Sequence, residues 1–185
     1  MINQIITDLS ERMEKAIQSL RRDLATIRTG RANATLLDTI SVEYYGVVTP
    51  LNQVANISTP DVRTLSIQPW DKSTLGEIEK AILRSDLGLT PSNDGTLIRL
   101  NIPMLTEDRR KELTKIAKRM GEDAKVAVRN IRRDVNEDLK RQEKDKLVSE
   151  DDSHRMLEEI QKSTDKFVLE IDEVVAHKEK EIMEV

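Results

Sequence analysis

The sequence predicts an α+β protein, a long three-helix bundle with a small β/α/β domain inserted between its first and second helices. Three observations carry this. Aliphatic residues recur at steps of three and four through about the first 29 residues and again from Thr106 onward, the period of helices that bury one stripe. Between those stretches the texture changes to short β-favouring runs broken by Gly46, Pro50 and Pro60. The composition, 35% charged and only 2% aromatic, suits an aliphatic helical core better than a β-sandwich.

The first helix spans residues 1 to about 29, with Ile2, Ile5, Ile6, Leu9, Met13, Ile17, Leu20, Leu24 and Ile27 on one stripe and Gly30 as its stop. The insert follows. Thr39–Tyr45, Val47-Val48, Val54–Ile57 and Thr64–Ile67 read as strands. Ser73 is the expected cap of a short helix carrying Leu75, Ile78, Ile82 and Leu83, which ends before Gly88 and Pro91. A last strand, Thr96–Ile102, alternates apolar and polar residues and stops at Pro103.

Helical spacing returns at Thr106, a candidate N-cap with Glu107 and Asp108 in the first turn, where the helix dipole favours negative charge. Its stripe is Leu113, Ile116, Ala117, Met120, Ala124, Ala127, Val128, Ile131, Val135 and Leu139. Ser149–Asp152 opens a third helix, whose stripe is Leu157, Ile160, Thr164, Phe167, Ile171, Val174 and Ile182, interrupted by Lys178. None of the three helices can bury its stripe alone, so they pack together along their length. This assigns residues 1–29 and 106–185 to the bundle and 32–102 to the insert. The two crossings, 30–31 and 103–105, restrain separation but permit bending, so they are the expected hinge.

Several classes are excluded by composition. There is no apolar run long enough to span a membrane, no basic n-region leading into an apolar stretch, and no cysteine. A cytoplasmic protein is the simplest expectation. Catalysis finds little to work with: His154 and His177 lack the paired spacing of a zinc site, and no glycine-rich loop cradles a phosphate. The protein is read as no enzyme, with no metal and no cofactor. Asn33-Ala34-Thr35 matches a glycosylation sequon, which has no meaning in the cytosol.

The net charge of −4 conceals an asymmetry. Arg109–Arg133 holds ten Lys/Arg against three Asp/Glu, whereas Glu143–Val185 holds seven against fourteen. On the second helix Lys111, Lys115, Lys118, Lys125, Arg129 and Arg132 recur at helical spacing away from the core, Arg133 widens the stripe, and only Glu122 interrupts it. Ordinary solvated faces mix signs more evenly. The dense end uses arginine, whose planar donors suit phosphate better than an ammonium does. Arg28 and Arg31 can join this surface. A nucleic-acid backbone is its expected partner, recognised by shape and charge without base readout. Tyr44 and Tyr45, adjacent on a strand, are expected to face opposite ways, with at least one in the core and no stacking platform between them.

A set of segments in order then becomes familiar: Arg28–Ala32, Val42–Gly46, Thr49–Leu51, Arg63–Leu65, Glu79–Ile82, Ser85–Leu89, Leu105–Glu107, Arg109–Lys111, Val126–Asp134 and Ser149–Asp152. Across essentially the whole chain it resembles the ribosome recycling factor family of bacteria and organelles. The resemblance implies an L-shaped arrangement of the bundle and the inserted domain. It also implies binding of the post-termination ribosome, with the bundle against large-subunit ribosomal RNA, and separation of the subunits together with the GTPase elongation factor G. The positions matching the family's RNA-contacting arginines are Arg28, Arg31, Arg129, Arg132 and Arg133. The implied hinge is Thr29, Gly30 and Arg31 with Pro103, Met104 and Leu105. A monomer that engages neither membrane nor DNA is implied. Departures are small: Asp108 stands where the family often has Glu, and Pro69-Trp70 where many relatives have an aliphatic residue and Phe.

Two other readings stay open from the residues. A coiled-coil adaptor would use the acidic third helix to bind a basic protein. A small hydrolase in the α/β domain would depend on Asp71 or Asp86.

Overall fold

The computed structural model describes residues 2–184; the side chains of Ile2 and Asn3 lie outside the described residues, and so do the expectations for Ile2 in the first stripe and for residues 1 and 185 in the bundle. The chain forms two compact units, one from residues up to Arg28 together with Thr106–Glu184, the other from Thr29–Leu105.

The first unit is three helices: α1 (Ile2–Ala25), α3 (Glu107–Lys144) and α4 (Glu150–Met183), with α2 in the other unit. α1 buries Leu9, Met13, Ile17, Leu20 and Leu24. It ends at Ala25, four residues short of the expected stop, where the Thr26 hydroxyl donates to the Asp23 carbonyl at 2.6 Å and competes with the helical ladder. α3 begins as expected, Thr106 Oγ1 accepting from the Arg109 N–H, and buries Leu113, Ala117, Gly121, Ala124, Val128, Val135 and Leu139. Ser149 caps α4 by accepting from the Asp152 N–H, while its hydroxyl donates to Asp152 Oδ2 at 2.8 Å.

The buried stripe of α4 differs from the expected one. Met156 and Val175 are buried where Leu157 and Val174 are expected, and these two and Phe167 are only half-buried. The two differences run in opposite senses along the helix, and at the second of them α3 offers Gly121 opposite Val175. A Cβ on that glycine would lie 2.6 Å from Val175 Cγ2, so the absent side chain lets the two helices approach.

The second unit is built on two antiparallel sheets and one helix. β1 (Ser41–Tyr44) and β2 (Val47–Pro50) form a hairpin; β3 (Ala55–Asp61), β4 (Thr64–Pro69), β5 (Pro91–Asn93) and β6 (Ile98–Asn101) form a second sheet in the order β3-β4-β6-β5. α2 (Leu75–Arg84) contributes Leu75, Ile78 and Ile82 to a core that also holds Leu37, Val42, Leu65, Ile67, Ile98 and Leu100. The β6 pattern, Ile98 and Leu100 in and Arg99 and Asn101 out, is the period-two alternation expected of a half-buried strand.

Three local expectations change here. β5 is an additional strand, short, opening on proline and placed at the sheet edge, where a missing N–H costs nothing. Asp71, not Ser73, is the capping residue: its Oδ1 accepts from both the Ser73 N–H and the Ser73 hydroxyl, and a short 3-10 turn (Lys72–Thr74) leads into α2. Tyr45 lies outside the strand. It forms the two-residue hairpin turn with Gly46, at φ +49° and +78°, as a turn between right-twisted strands requires. Strand alternation therefore does not separate the two tyrosines. Tyr44 is half-buried against the core, Tyr45 is 81% exposed, and their rings meet edge to face with centroids 4.6 Å apart.

Candidate nucleic-acid interface

The basic stripe of α3 is divided by its surroundings. Lys118 and Lys125 turn toward α4. Lys125 Nζ lies 2.5 Å from Asp172 and 3.2 Å from Glu122, its side chain only 16% exposed, and Lys118 approaches Glu179 at 4.0 Å. The bond to Asp172 is the main cause that raises the Lys125 pKa above the usual lysine range, ahead of the opposing effect of burial. These two lysines, expected on one open cationic face, belong instead to a seam of alternating charge between α3 and α4. The physical reason is angular: positions 118 and 125 fall on the flank of α3 that faces α4, where Lys125 is mostly covered and Lys118 stays exposed. Lys111, near the helix start, is paired with Glu107 at 2.8 Å.

Further along α3 the balance changes. Arg129 and Arg133 are exposed, and among the described residues neither has a carboxylate within ion-pairing distance. Arg132, between them, is half-buried and donates from Nη1 to Gln161 Oε1 of α4 at 3.1 Å. Two other arginines of the bundle meet acids across helices, Arg12 with Asp134 at 3.0 Å and Arg21 with Glu170 at 3.2 Å. Arg129, Arg132 and Arg133 thus form an arginine cluster within one turn and a half of α3, while Lys115 and Arg119, nearer the helix start, are also exposed and have no carboxylate at ion-pairing distance among the described residues. Such a surface can bind phosphate oxygens, for which the planar guanidinium donors are well matched.

Arg28 does not lie beside this cluster. Arg12 sits level with Asp134, and α1 runs on from there to Ala25, which puts Arg28 about 20 Å along the bundle axis from Arg133 at ~1.5 Å per residue. Arg28 closes the helical unit, whereas Arg31 belongs to the inserted unit. Of the seven cations expected to act together, the structure brings together Arg129, Arg132 and Arg133.

Gln161 was invisible as a functional candidate. It is one amide in an acidic helix, and only the register of α4 against α3 places it beside Arg132. Ordinary spacing gives no signal for such a pairing.

The expected hinge residues occupy two adjacent strands of backbone within the inserted unit. Gly30 has φ +76°, and a Cβ on it would come 3.3 Å from Leu105 Cγ. The Ala32 N–H donates to the Val62 carbonyl at 2.8 Å and the Ile102 N–H to the Arg63 carbonyl at 2.8 Å. Both crossings are thus pinned beside the same β3–β4 turn.

Asp71 is occupied by the cap of the 3-10 turn that leads into α2 and by the Tyr45 hydroxyl, which donates to Oδ2 at 3.2 Å; the Ser73 hydroxyl chiefly holds its carboxyl below the usual range. Among the described residues no group of three or more His, Asp or Glu side chains is arranged to hold a metal ion, and no helix is long and apolar enough to cross a membrane.

Comparison with known proteins gives a consistent picture. The family profile described as ribosome recycling factor matches residues 20–183. The ribosome-recycling factor of Brevibacillus brevis is 57% identical over 185 residues, covering 100% of both chains. A solution structure of a ribosome recycling factor superposes with a TM-score of 0.75 at 41% identity, covering 100% of this chain and 98% of that one. A further structure, in which the T. thermophilus ribosome recycling factor and E. coli elongation factor G are bound to the E. coli post-termination complex, matches with a TM-score of 0.64 at 45% identity over 99% of each chain.

Proposed function

This chain belongs to the ribosome recycling factor family, and from that premise we propose that it is a non-enzymatic translation factor that binds the post-termination ribosome through large-subunit ribosomal RNA and, with elongation factor G and GTP, promotes separation of the subunits. It works in the cytoplasm as a monomer. The choice of partner is supported by the relative seen with elongation factor G on the post-termination complex.

The RNA contact rests on one observation, the cluster of Arg129, Arg132 and Arg133 without a carboxylate partner among the described residues. Uncompensated guanidinium groups on a long helix give affinity by releasing counterions from phosphates, with no need for sequence readout. Arg28 and Arg31 supply a second contact nearer the expected hinge, and Lys118 and Lys125 a subordinate one, because their charge is already shared with α4. Thr29–Gly30–Arg31 and Pro103–Met104–Leu105 act as the hinge through which the inserted domain moves when the GTPase pushes. Hydrolysis on that partner supplies the energy, since this chain offers no phosphate-cradling loop.

Co-sedimentation with purified large ribosomal subunits across a salt series tests this. Binding that weakens steeply with salt, and that Arg132→Ala reduces at an unchanged denaturant midpoint, supports the reading. Absence of wild-type binding at low salt overturns it.

A further inference from the structure

We propose that Gln161 is a positioning residue for ribosomal RNA binding: it orients the Arg132 guanidinium while leaving its positive charge uncompensated. The inference rests on the reading that the α3 arginines dock on phosphates.

The geometry has a direction built into it. Gln161 Nε2 donates to Asp165 Oδ1 at 2.7 Å, one helical turn along α4. An ionised carboxylate only accepts, so Asp165 fixes which end of the Gln161 amide faces it and turns Oε1 outward. Arg132 Nη1 donates to that oxygen at 3.1 Å. One of five guanidinium N–H donors is spent on the protein, and the remaining four stay open to a phosphate.

The identity of the acceptor decides what is left for the ligand. Arg12 and Arg21, which also bridge helices of the bundle, meet Asp134 and Glu170, and their charge is balanced at the contact. Arg132 meets a neutral amide. The nearest acid in this chain of bonds, Asp165, is kept one residue away by Gln161 itself. A long side chain held in advance loses less freedom when it binds, and an unbalanced charge still releases a counterion when it meets phosphate. A carboxylate at position 161 would give the first advantage and cancel the second.

The test uses the full-length chain and co-sedimentation with purified large subunits over a salt series, comparing wild type, Gln161→Glu, Gln161→Met, Arg132→Ala and the double variant Arg132→Ala/Gln161→Glu, with denaturant midpoints for each. Gln161→Glu is expected to weaken binding about tenfold at 0.1 M salt and to lower the slope of log K against log salt by about 0.7–0.9, the signature of one lost phosphate contact. Gln161→Met, which removes the orientation but not the charge, should weaken binding a few-fold with the slope unchanged. In the Arg132→Ala background Gln161→Glu should add nothing. Wild-type affinity and slope in Gln161→Glu, while Arg132→Ala is impaired, overturn the inference alone. An equal loss from Gln161→Glu in both backgrounds also overturns it, by showing general repulsion. Undiminished binding of Arg132→Ala overturns the phosphate-docking reading and the inference with it.

Discussion

Gly121 of α3 lies directly under Val175 of α4, so close that a methyl group on the glycine would stand 2.6 Å from Val175 Cγ2. Two effects oppose each other at this position. Alanine favours the helix by about 1 kcal/mol over glycine, but Val175 is buried and β-branched, so it cannot rotate away cheaply. Overpacking of a tight contact costs about 1–3 kcal/mol and wins. Gly121→Ala is expected to lower the urea midpoint, and Gly121→Ala/Val175→Ala to recover part of the loss relative to the sum of the single changes. A stabilised single variant would show that the helices separate freely there.

A similar constraint acts at Gly30, by a different route. Its φ of +76° is a conformation that side chains adopt only under strain, and Leu105 Cγ would sit 3.3 Å from an added Cβ. Gly30→Ala should destabilise the protein by about 1–2 kcal/mol. Gly30→Asn, which tolerates the left-handed region better, should cost less than Gly30→Ala if backbone strain dominates over the Leu105 contact. Chemical denaturation of both variants decides between the two causes.

How far the sequence could be read depends on the range of the interactions. Helices were legible because Leu9, Met13, Ile17 and Leu20 repeat at a spacing that only a buried helical face explains, and the Thr106 and Ser149 caps are local bonds to N–H groups three residues on. A strand pattern extends through Tyr45 in the sequence, but its turn conformation depends on hairpin register with β2. Asp71 and Ser73 are both good caps by residue type, and only their mutual bond shows which one accepts. The candidate site was half legible. Spacing marks the cations of α3, but which ones keep their charge is decided by α4, and no local rule links Lys125 to Asp172 or Arg132 to Gln161.

Acid should weaken the inserted domain through three aspartates. Asp61 is held below the usual range chiefly by the Arg63 N–H, Asp71 by the Ser73 hydroxyl, and Asp94 by the Leu97 N–H. A carboxylate with a depressed folded pKa stabilises the protein above its unfolded value, near 3.9, and loses that contribution as pH falls through the folded value. The urea midpoint followed by Trp70, the chain's one tryptophan, should hold down to about pH 5 and then fall. Asp94→Asn keeps the acceptor but not the charge, so it should make that fall shallower. An unchanged acid slope in Asp94→Asn would remove Asp94 from the account.

The division of the α3 stripe makes a prediction that separates two residues one helical turn apart. Arg129 has no carboxylate partner among the described residues, so its charge is available to an incoming phosphate. Lys125 is shared between Asp172 and Glu122 in the α3–α4 seam. Arg129→Ala should weaken large-subunit binding about tenfold at 0.1 M salt and lower the salt slope by one contact, with little change in stability. Lys125→Met should do the reverse. It leaves two acids facing each other across the seam, so stability should fall by up to about 1 kcal/mol, read as a lower denaturant midpoint, while the salt slope stays at its wild-type value. If Lys125→Met lowers the slope as much as Arg129→Ala does, then Lys125 leaves Asp172 for phosphate on binding, and the seam is part of the RNA surface after all.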